Sequence, residues 1–529
     1  MPASARVAAG QAMKLLKSTA IVSAMTMLSR VLGFVRDQVI AQNFGASAAT
    51  DAFFVAFKIP NFMRRLFAEG SFSLAFVPVL AEYKAKADHA ALRDFIDRVC
   101  GTLAGILLAV VGLGILLAPG VVAVFAPGFL DRPDKFQLTV GLLGITFPYI
   151  LLISLAGFAG GILNSYSRFA LPALSPVLLN LAMIAAAVWA APWFEEPVEA
   201  LAWGVLLGGL LQLLMQLPGL MRLGLMPRPR WGWASEGVRK ILKLMIPTLF
   251  GSSVAQINLL IDTIIASFLI SGSVTWLYYT DRLLEFPLGI FGVALGTVIL
   301  PHLSARHAEQ DPAGYTRSID WGLRFGFFLA VPAMLYLIVL AQPMYWTLFG
   351  YQRFTAEDVQ MSALSLVTLT LGLPAFVAVK ILAPAFYARQ DTATPVKAGI
   401  ISMVSNMGLN AIFVGVWVYA DWPGAHAGLA LASAISGWLN AGLLAWWLRQ
   451  QGIWQPQAEL MRFVGKATLA GVAMSLALMY GLNVAPDWSA QGAGGRVMAL
   501  SALIALGGLT YLAALLTLGW RPAHLLDRH

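Results

Sequence analysis

Charged side chains recur in this chain where the surrounding sequence is apolar. In "SRVLGFVRDQV", Arg30 and Asp37 stand seven residues apart and so share a helical face, while Arg36 points elsewhere on the same half. In "TDAFFVAFKIPNFMRRLFAEGSF", Asp51, Lys58 and Arg65 recur every seven residues, and Glu69 follows one turn beyond Arg65. Asn61 and Arg64 broaden that stripe, and Pro60 bends the helix that carries it. Guanidinium grips phosphate through two parallel hydrogen bonds and keeps its charge when buried. Neighbouring carboxylates make such cations tolerable in an empty cavity, and an anionic headgroup such as a diphosphate would displace them. A simpler role is also open, in which Arg30 with Asp37 and Arg65 with Glu69 are ion pairs that pin helices together.

The second half of the chain carries fewer charges. Asp281, Arg282 and Glu285 in "YYTDRLLEFP" have helical-neighbour spacing, and Lys380 lies further on in another apolar run. Asp262 stands alone in "INLLIDTIIASFL". Asn406 and Asn410 are four residues apart on one face of a later helix, within reach of Ser433. Three roles fit Asp262: a hydrogen bond to a neighbouring helix, a Na⁺ ligand with these oxygen donors, or a proton carrier. No other cofactor is expected.

These residues need elements to position them, and the composition says which. Of 529 residues 59% are hydrophobic and only 12% charged, with mean hydropathy +0.75. A soluble domain is nearer half apolar and about a quarter charged. Apolar runs of bilayer length recur from end to end without the alternation of barrel strands, so the fold class is an all-α polytopic membrane protein. Windows of roughly 20 apolar residues give about fourteen helices, including spans at 48–82 and 275–304 that charge and proline interrupt. Residues 1–14 read as a cytoplasmic tail. Arg30, Arg36 and Asp37 within the first apolar run argue against a cleavable signal.

The chain also resembles itself at an offset of about 225 residues. "FSLAFVPVLAEY" is echoed by "LGTVILPHLSAR", and "TDAFFVAFKIPNF" by "YYTDRLLEFPLGI". The repeat divides the chain into a six-helix lobe over 15–225, a second over 238–450, and two further helices over 458–520. Two lobes around a central cavity are a common transporter plan. Alternate loops hold most of the lysine and arginine, and the others little beyond Arg132, Lys135, Arg353 and Arg496. The positive-inside rule then places both termini in the cytoplasm.

Several classes are excluded. The net charge of +9 lies in short loops or inside apolar segments, not in a basic domain interleaved with aromatics, so nucleic acid is not a partner. The single Cys100 rules out an intramolecular disulfide and a multi-cysteine metal site. There is no GxxxxGK followed by Ser or Thr, no HExxH, and the six histidines lack metal spacing. Transport energy would have to come from an ion gradient, the membrane potential or consumption of product. Gly292 and Gly296 form a small-xxx-small pair suited to helix packing.

At "SRVLGFVRD…FGASAATDAFFVAFKIPNFMRRLFAEGSFSLAFVPVLAEYK" the sequence resembles the MurJ (MviN) family of lipid II flippases, within the multidrug/oligosaccharidyl-lipid/polysaccharide exporter superfamily. The resemblance continues through "SGSVTWLYYTDRLLEFPLGIFGVALGTVILP" and "APAFYARQDTATPVK" and covers nearly the whole chain. It implies fourteen helices, with the last two forming a groove for an undecaprenyl tail. It implies alternating access, in which a diphosphate-disaccharide-peptide headgroup passes through a cationic cavity to the periplasmic leaflet of the inner membrane. Substrate-binding positions carried over are Arg30, Arg36, Lys58, Asn61, Arg64, Arg65 and Arg282, with Asp37, Asp51, Glu69, Asp281 and Glu285 as charge partners or gates. Lipid II and membrane lipids are the partners expected, and the protein is expected to work as a monomer without enzymatic activity. The family's proposed Na⁺ site falls at Asp262, Asn406 and Asn410. A carboxylate is expected at one of the latter two positions, where this chain has Asn410. Other readings are an exporter of another polyprenyl-linked glycan, a small-molecule antiporter, or a membrane glycan polymerase. The arginines argue against a drug-cation exporter, and the short outer loops against a polymerase.

Overall fold

The computed structural model describes residues 3–65, 72–485 and 487–521, with side chains described outside 3–21, 247–259, 290–294 and 297. Glu69 lies outside the described residues. Two compact units, Met1–Val274 and Thr275–His529, divide the chain. Helices account for the architecture, and no strand occurs among the described residues.

The first unit holds α1 (Ala3–Phe44), α2 (Ala48–Arg64), α3 (Ser73–Lys86), α4 (His89–Leu116), α5 (Ala118–Phe125), α6 (Pro133–Thr146), α7 (Tyr149–Ser165), α8 (Ala170–Ala185), α9 (Glu199–Arg222) and α10 (Glu236–Ser267). From Ser273 the chain enters α11 (Ser273–Ala308), followed by α12 (Pro312–Val339), α13 (Ala341–Leu348), α14 (Ala356–Thr370), α15 (Leu373–Tyr387), α16 (Ala393–Tyr419), α17 (His426–Gln450), α18 (Ala458–Val484) and α19 (Ala493–Thr517). Among the described residues, nine helical segments are long and apolar enough to cross a bilayer, and ten if α14 and α15, bent by 40°, count as one. The charge-bearing helices α1, α2, α10 and α11 lie outside that set.

The repeat read from sequence has a counterpart in where helices break. In the first unit α4, of 28 residues, stops at Leu117 and an 8-residue α5 follows; in the second, α12 of 28 residues stops at Leu340 and an 8-residue α13 follows. The next spans also break in both halves, at Phe147–Pro148 and at Leu371–Gly372. Proline two residues into α15, and just before α7, lacks the amide that would continue the preceding helix. Of the span expected at 48–82, α2 and α3 are described and 66–71 between them lie outside the described residues; α11 runs unbroken through Pro287 and Pro301.

Aromatic side chains weld the first unit. Phe72 stacks on Phe76 at 5.1 Å, and Phe76 packs on Phe158 at 5.0 Å. Leu225, Val238 and Ile241 join the same core, so the start of α10 belongs to this unit although the repeat would assign it to the second. In the second unit, Phe463, Met474 and Leu478 of α18 and Leu503 and Tyr511 of α19 pack with Leu340 at the end of α12. The Tyr336 hydroxyl of α12 donates to the Ile504 carbonyl of α19 at 2.5 Å.

Glycine sets the closest helix approach. A Cβ on Gly204 would meet Ala186 Cβ at 2.8 Å, and one on Gly208 would lie 2.9 Å from Leu179 Cα. These two, four residues apart on α9, let α8 pack on it. Gly296 does not act this way: a Cβ there would meet open space. Gly208→Leu should therefore destabilise the first unit by about 1–3 kcal/mol, read as a lower thermal midpoint of the detergent-purified protein. An unchanged midpoint would contradict this packing.

Candidate functional site

The seven-residue stripe on α2 is not uniform. Asp51, in the first turn, is 1% exposed; Lys58 is half-buried; Arg65, just past the last turn, is exposed. The helix therefore begins inside the protein and ends at its surface. Asp51 Oδ2 accepts from Lys135 Nζ at 2.8 Å and from the Gly272 backbone amide at 2.8 Å. Lys135 is itself buried, with its ammonium 4.2 Å from the Phe129 ring centroid. Lys58 Nζ donates to Thr263 Oγ1 at 2.7 Å, which ties α2 to α10 beside Asp262. Arg64 Nε donates to Asn61 Oδ1 at 3.3 Å.

On α1 the two arginines part company. Arg30 is exposed. Arg36 and Asp37 are 6% and 0% exposed, and two guanidinium nitrogens of Arg36 donate to Asp37 Oδ1 at 3.0 and 2.7 Å. Adjacent residues on a helix do not ordinarily face each other, so the arginine must fold back over its neighbour. Arg36 Nη1 continues to Asn180 Oδ1 at 3.0 Å, and Asn180 Nδ2 donates to the Ser29 carbonyl at 3.0 Å. Asp37 thus pairs with Arg36, whereas the face argument had offered Arg30.

In the second unit Arg282 Nη1 donates to Glu285 Oε2 at 3.1 Å, as their spacing predicts, with both side chains partly exposed. Asp281 beside them is half-buried. Asn410 Nδ2 donates to Asn406 Oδ1 at 3.1 Å, and Asn406 Nδ2 to Ser433 Oγ at 3.3 Å, all between α16 and α17. Asp262, the third residue of this expected set, lies half-buried on α10 of the first unit.

Sequence reasoning passed over Lys135. By sequence, Lys135 stands with Arg132 and Arg496 among the few cations of the sparsely charged loops. Each proves to be committed. Arg132 donates to Ser271 Oγ at 3.1 Å and the Leu269 carbonyl at 3.2 Å, while Gly128 N donates to Ser267 Oγ at 3.0 Å. Together with Asp51 and Lys135, these groups grip the turn that ends α10. Arg496 is 5% exposed and donates to the carbonyls of Trp346, Gly350 and Trp488. A cation in a set of loops otherwise poor in lysine and arginine is a signal in itself, because such a cation is often held by something specific.

Lys135→Met should leave Asp51 buried without its cation and cost about 3–5 kcal/mol, seen as loss of folded protein after mild heating. Adding Asp51→Asn should recover part of that loss. A double variant as unstable as Lys135→Met alone would refute the pairing as the source of the effect.

The lipid II flippase MurJ family matches residues 40–492. A probable lipid II flippase MurJ of Vibrio cholerae is 50% identical over 516 residues, which cover 96% of this chain and 97% of that one. The lipid II flippase MurJ of Burkholderia cenocepacia is 44% identical over 519 residues, 97% of this chain and 99% of its own. These relatives are named as flippases, which are transporters and not enzymes. Among solved structures, a lipid II flippase MurJ in an inward closed conformation superposes with a TM-score of 0.78 at 27% identity, over 94% of this chain and 98% of that chain. An inward-facing multidrug resistance MATE family transporter of the MOP superfamily gives 0.64 at 13% identity, over 82% of this chain and 97% of its own, and shares the fold alone. With a family match over most of its length and end-to-end relatives at 44% and 50% identity, the chain belongs to the lipid II flippase MurJ family.

Proposed function

We propose that this protein moves lipid II, an undecaprenyl-diphosphate-linked disaccharide-peptide, from the cytoplasmic to the periplasmic leaflet of the bacterial inner membrane. The names of its relatives supply the substrate. The observation on the chain itself that carries the reading is the exposure of Arg30 and Arg65 on charged helices of a membrane-embedded protein. An exposed guanidinium at membrane depth costs several kcal/mol against lipid, so these two side chains face water. A diphosphate is a ligand that the chemistry of guanidinium groups suits.

In this reading fourteen helices form two six-helix lobes around a cationic cavity, α18 and α19 guide the lipid tail, and both termini are cytoplasmic. The lobes alternate access to the two leaflets as a monomer. Arg30, Arg36, Lys58, Asn61, Arg64, Arg65 and Arg282 meet the headgroup. Asp37, Asp51, Glu69, Asp281 and Glu285 balance or gate the cations. Arg36 would have to exchange its Asp37 partner for substrate, whereas Arg30 is exposed at the outset. The grip of Asp51, Lys135 and Arg132 on the turn after α10 is suited to closing the outer side in one state. Coupling runs through Asp262, either as a Na⁺ ligand with Asn406 and Asn410 or as a proton carrier.

Arg30→Ala or Arg65→Ala should abolish growth support in cells depleted of their own flippase, with insertion and amount of protein unchanged. Normal growth on either variant would count against the cationic path. Asp262→Asn should make transport insensitive to whichever of the Na⁺ or proton gradients drives the wild type. If wild-type transport ignores both gradients and tolerates Asp262→Asn, Asp262 holds helices and nothing more.

A further inference from the structure

The segment joining α9 to α10 is not a free tether. Its backbone is fastened along α4. Arg228 N donates to Asp97 Oδ1 at 2.7 Å, Arg230 N to the Asp97 carbonyl at 3.0 Å, and Gly232 N to Thr102 Oγ1 at 3.0 Å. Glycine makes room on both sides: a Cβ on Gly101 would lie 2.3 Å from the Arg230 carbonyl oxygen, and one on Gly232 would lie 2.4 Å from Arg98 Cβ. At the tip, Trp231 lies on Gly105, where a Cβ would be 2.6 Å from its ring.

The position of this tip along α4 sets its depth. Arg98 is the last charge on that helix, and the 18 residues from Val99 to Leu116 carry none. They span about 27 Å, a hydrocarbon thickness. Arg98 therefore sits at the membrane surface, and Gly105 lies about 10 Å further in. A loop climbs to that depth only if its side chains suit lipid. Trp231 and Trp233 do: they stack within 8° of parallel at 6.2 Å between ring centroids, yet stay 64% and 49% exposed. Below them the side chains of Arg228 and Arg230 are exposed. Arg228 uses its backbone amide, not its guanidinium, on Asp97. Asp94 is the second carboxylate here, beside the buried Asp97, and Arg98 holds it at 2.6 Å while Arg230 stays at 3.7 Å with 64% of its side chain open.

We propose that residues 228–233 form a docking surface for an anionic phospholipid. Arg228 and Arg230 take the phosphate, and the stacked indoles take the glycerol and the upper acyl chain. This pairs cations at headgroup level with amphipathic rings at the interface, the arrangement that each part of a phospholipid favours. The surface rests on membrane embedding alone and not on the lipid II reading; the orientation proposed above would place it in the inner leaflet.

Native mass spectrometry of the full chain released from micelles, titrated with dioleoylphosphatidylglycerol or dioleoylphosphatidylcholine, tests it. The double variant Arg228→Ala/Arg230→Ala should bind phosphatidylglycerol about tenfold more weakly than the wild type and phosphatidylcholine equally well. Trp231→Ala/Trp233→Ala should weaken both lipids. The control Arg306→Ala/Arg317→Ala, elsewhere in the chain, should change neither. Equal phosphatidylglycerol affinity in the wild type and the Arg228/Arg230 variant overturns the proposal. So does an equal loss in the control, which would mark a response to overall charge. The replaced side chains leave the backbone bonds to Asp97 and Thr102 in place, and an unaltered thermal midpoint verifies this. Lipid affinity in micelles is read without transport, so a failure here leaves lipid II movement untouched, and a failure of lipid II movement leaves this result standing.

Discussion

A charge on a membrane helix must be paired within protein or reach water, and that constraint sorts the ionised side chains of this chain into two sets. Arg36 with Asp37, and Lys135 with Asp51, are withdrawn into the first unit and hydrogen-bonded there. Arg30, Arg65 and Glu285 remain exposed. The first set fixes helices: Arg36 reaches α8 through Asn180, and Asp51 reaches both α6 and the turn that ends α10. Of the second set, the guanidinium groups of Arg30 and Arg65 are the ones suited to a polyanionic headgroup, whereas Glu285 is paired with Arg282.

The same constraint explains the cations of the sparsely charged loops. Most lysine and arginine lie in the loops assigned to the cytoplasm, where they need no partner beyond solvent. Lys135, Arg132 and Arg496 lie in the other set, and each is spent on a carboxylate or on backbone carbonyls. Asp51 is the hub. Its single oxygen joins the chain near residue 51, near residue 135 and at Gly272, so losing its charge would release three segments at once.

Legibility in the sequence followed contrast and distance. Arginine inside an apolar run is conspicuous, so Arg30, Arg36, Lys58 and Arg65 stood out from spacing alone. Lys135 did not, because it sits beside "DRPDK", where charge is ordinary, and its partner is far away in sequence. Periodicity placed Asp51 on a stripe, but only packing shows that the stripe runs from core to surface. The fold class was plain from composition. The breaks at Leu117, Leu340, Phe147–Pro148 and Gly372 were not, because hydropathy reports depth and stays high through a break. The segment "PRPRWGW" read as topology charge, since the glycines that receive it, Gly101 and Gly105, lie on another helix.

The central claim is that this chain carries lipid II outward past exposed guanidinium groups. The most direct measurement is the outer-face exposure of lipid II in cells whose own flippase is depleted and replaced by this protein, read by a lipid II-cleaving toxin confined to the periplasm. The account predicts that wild-type protein restores cleavage and that Arg30→Ala does not. Wild-type protein that inserts correctly yet exposes no lipid II would contradict it and point to another polyprenyl-linked glycan or a small molecule as cargo.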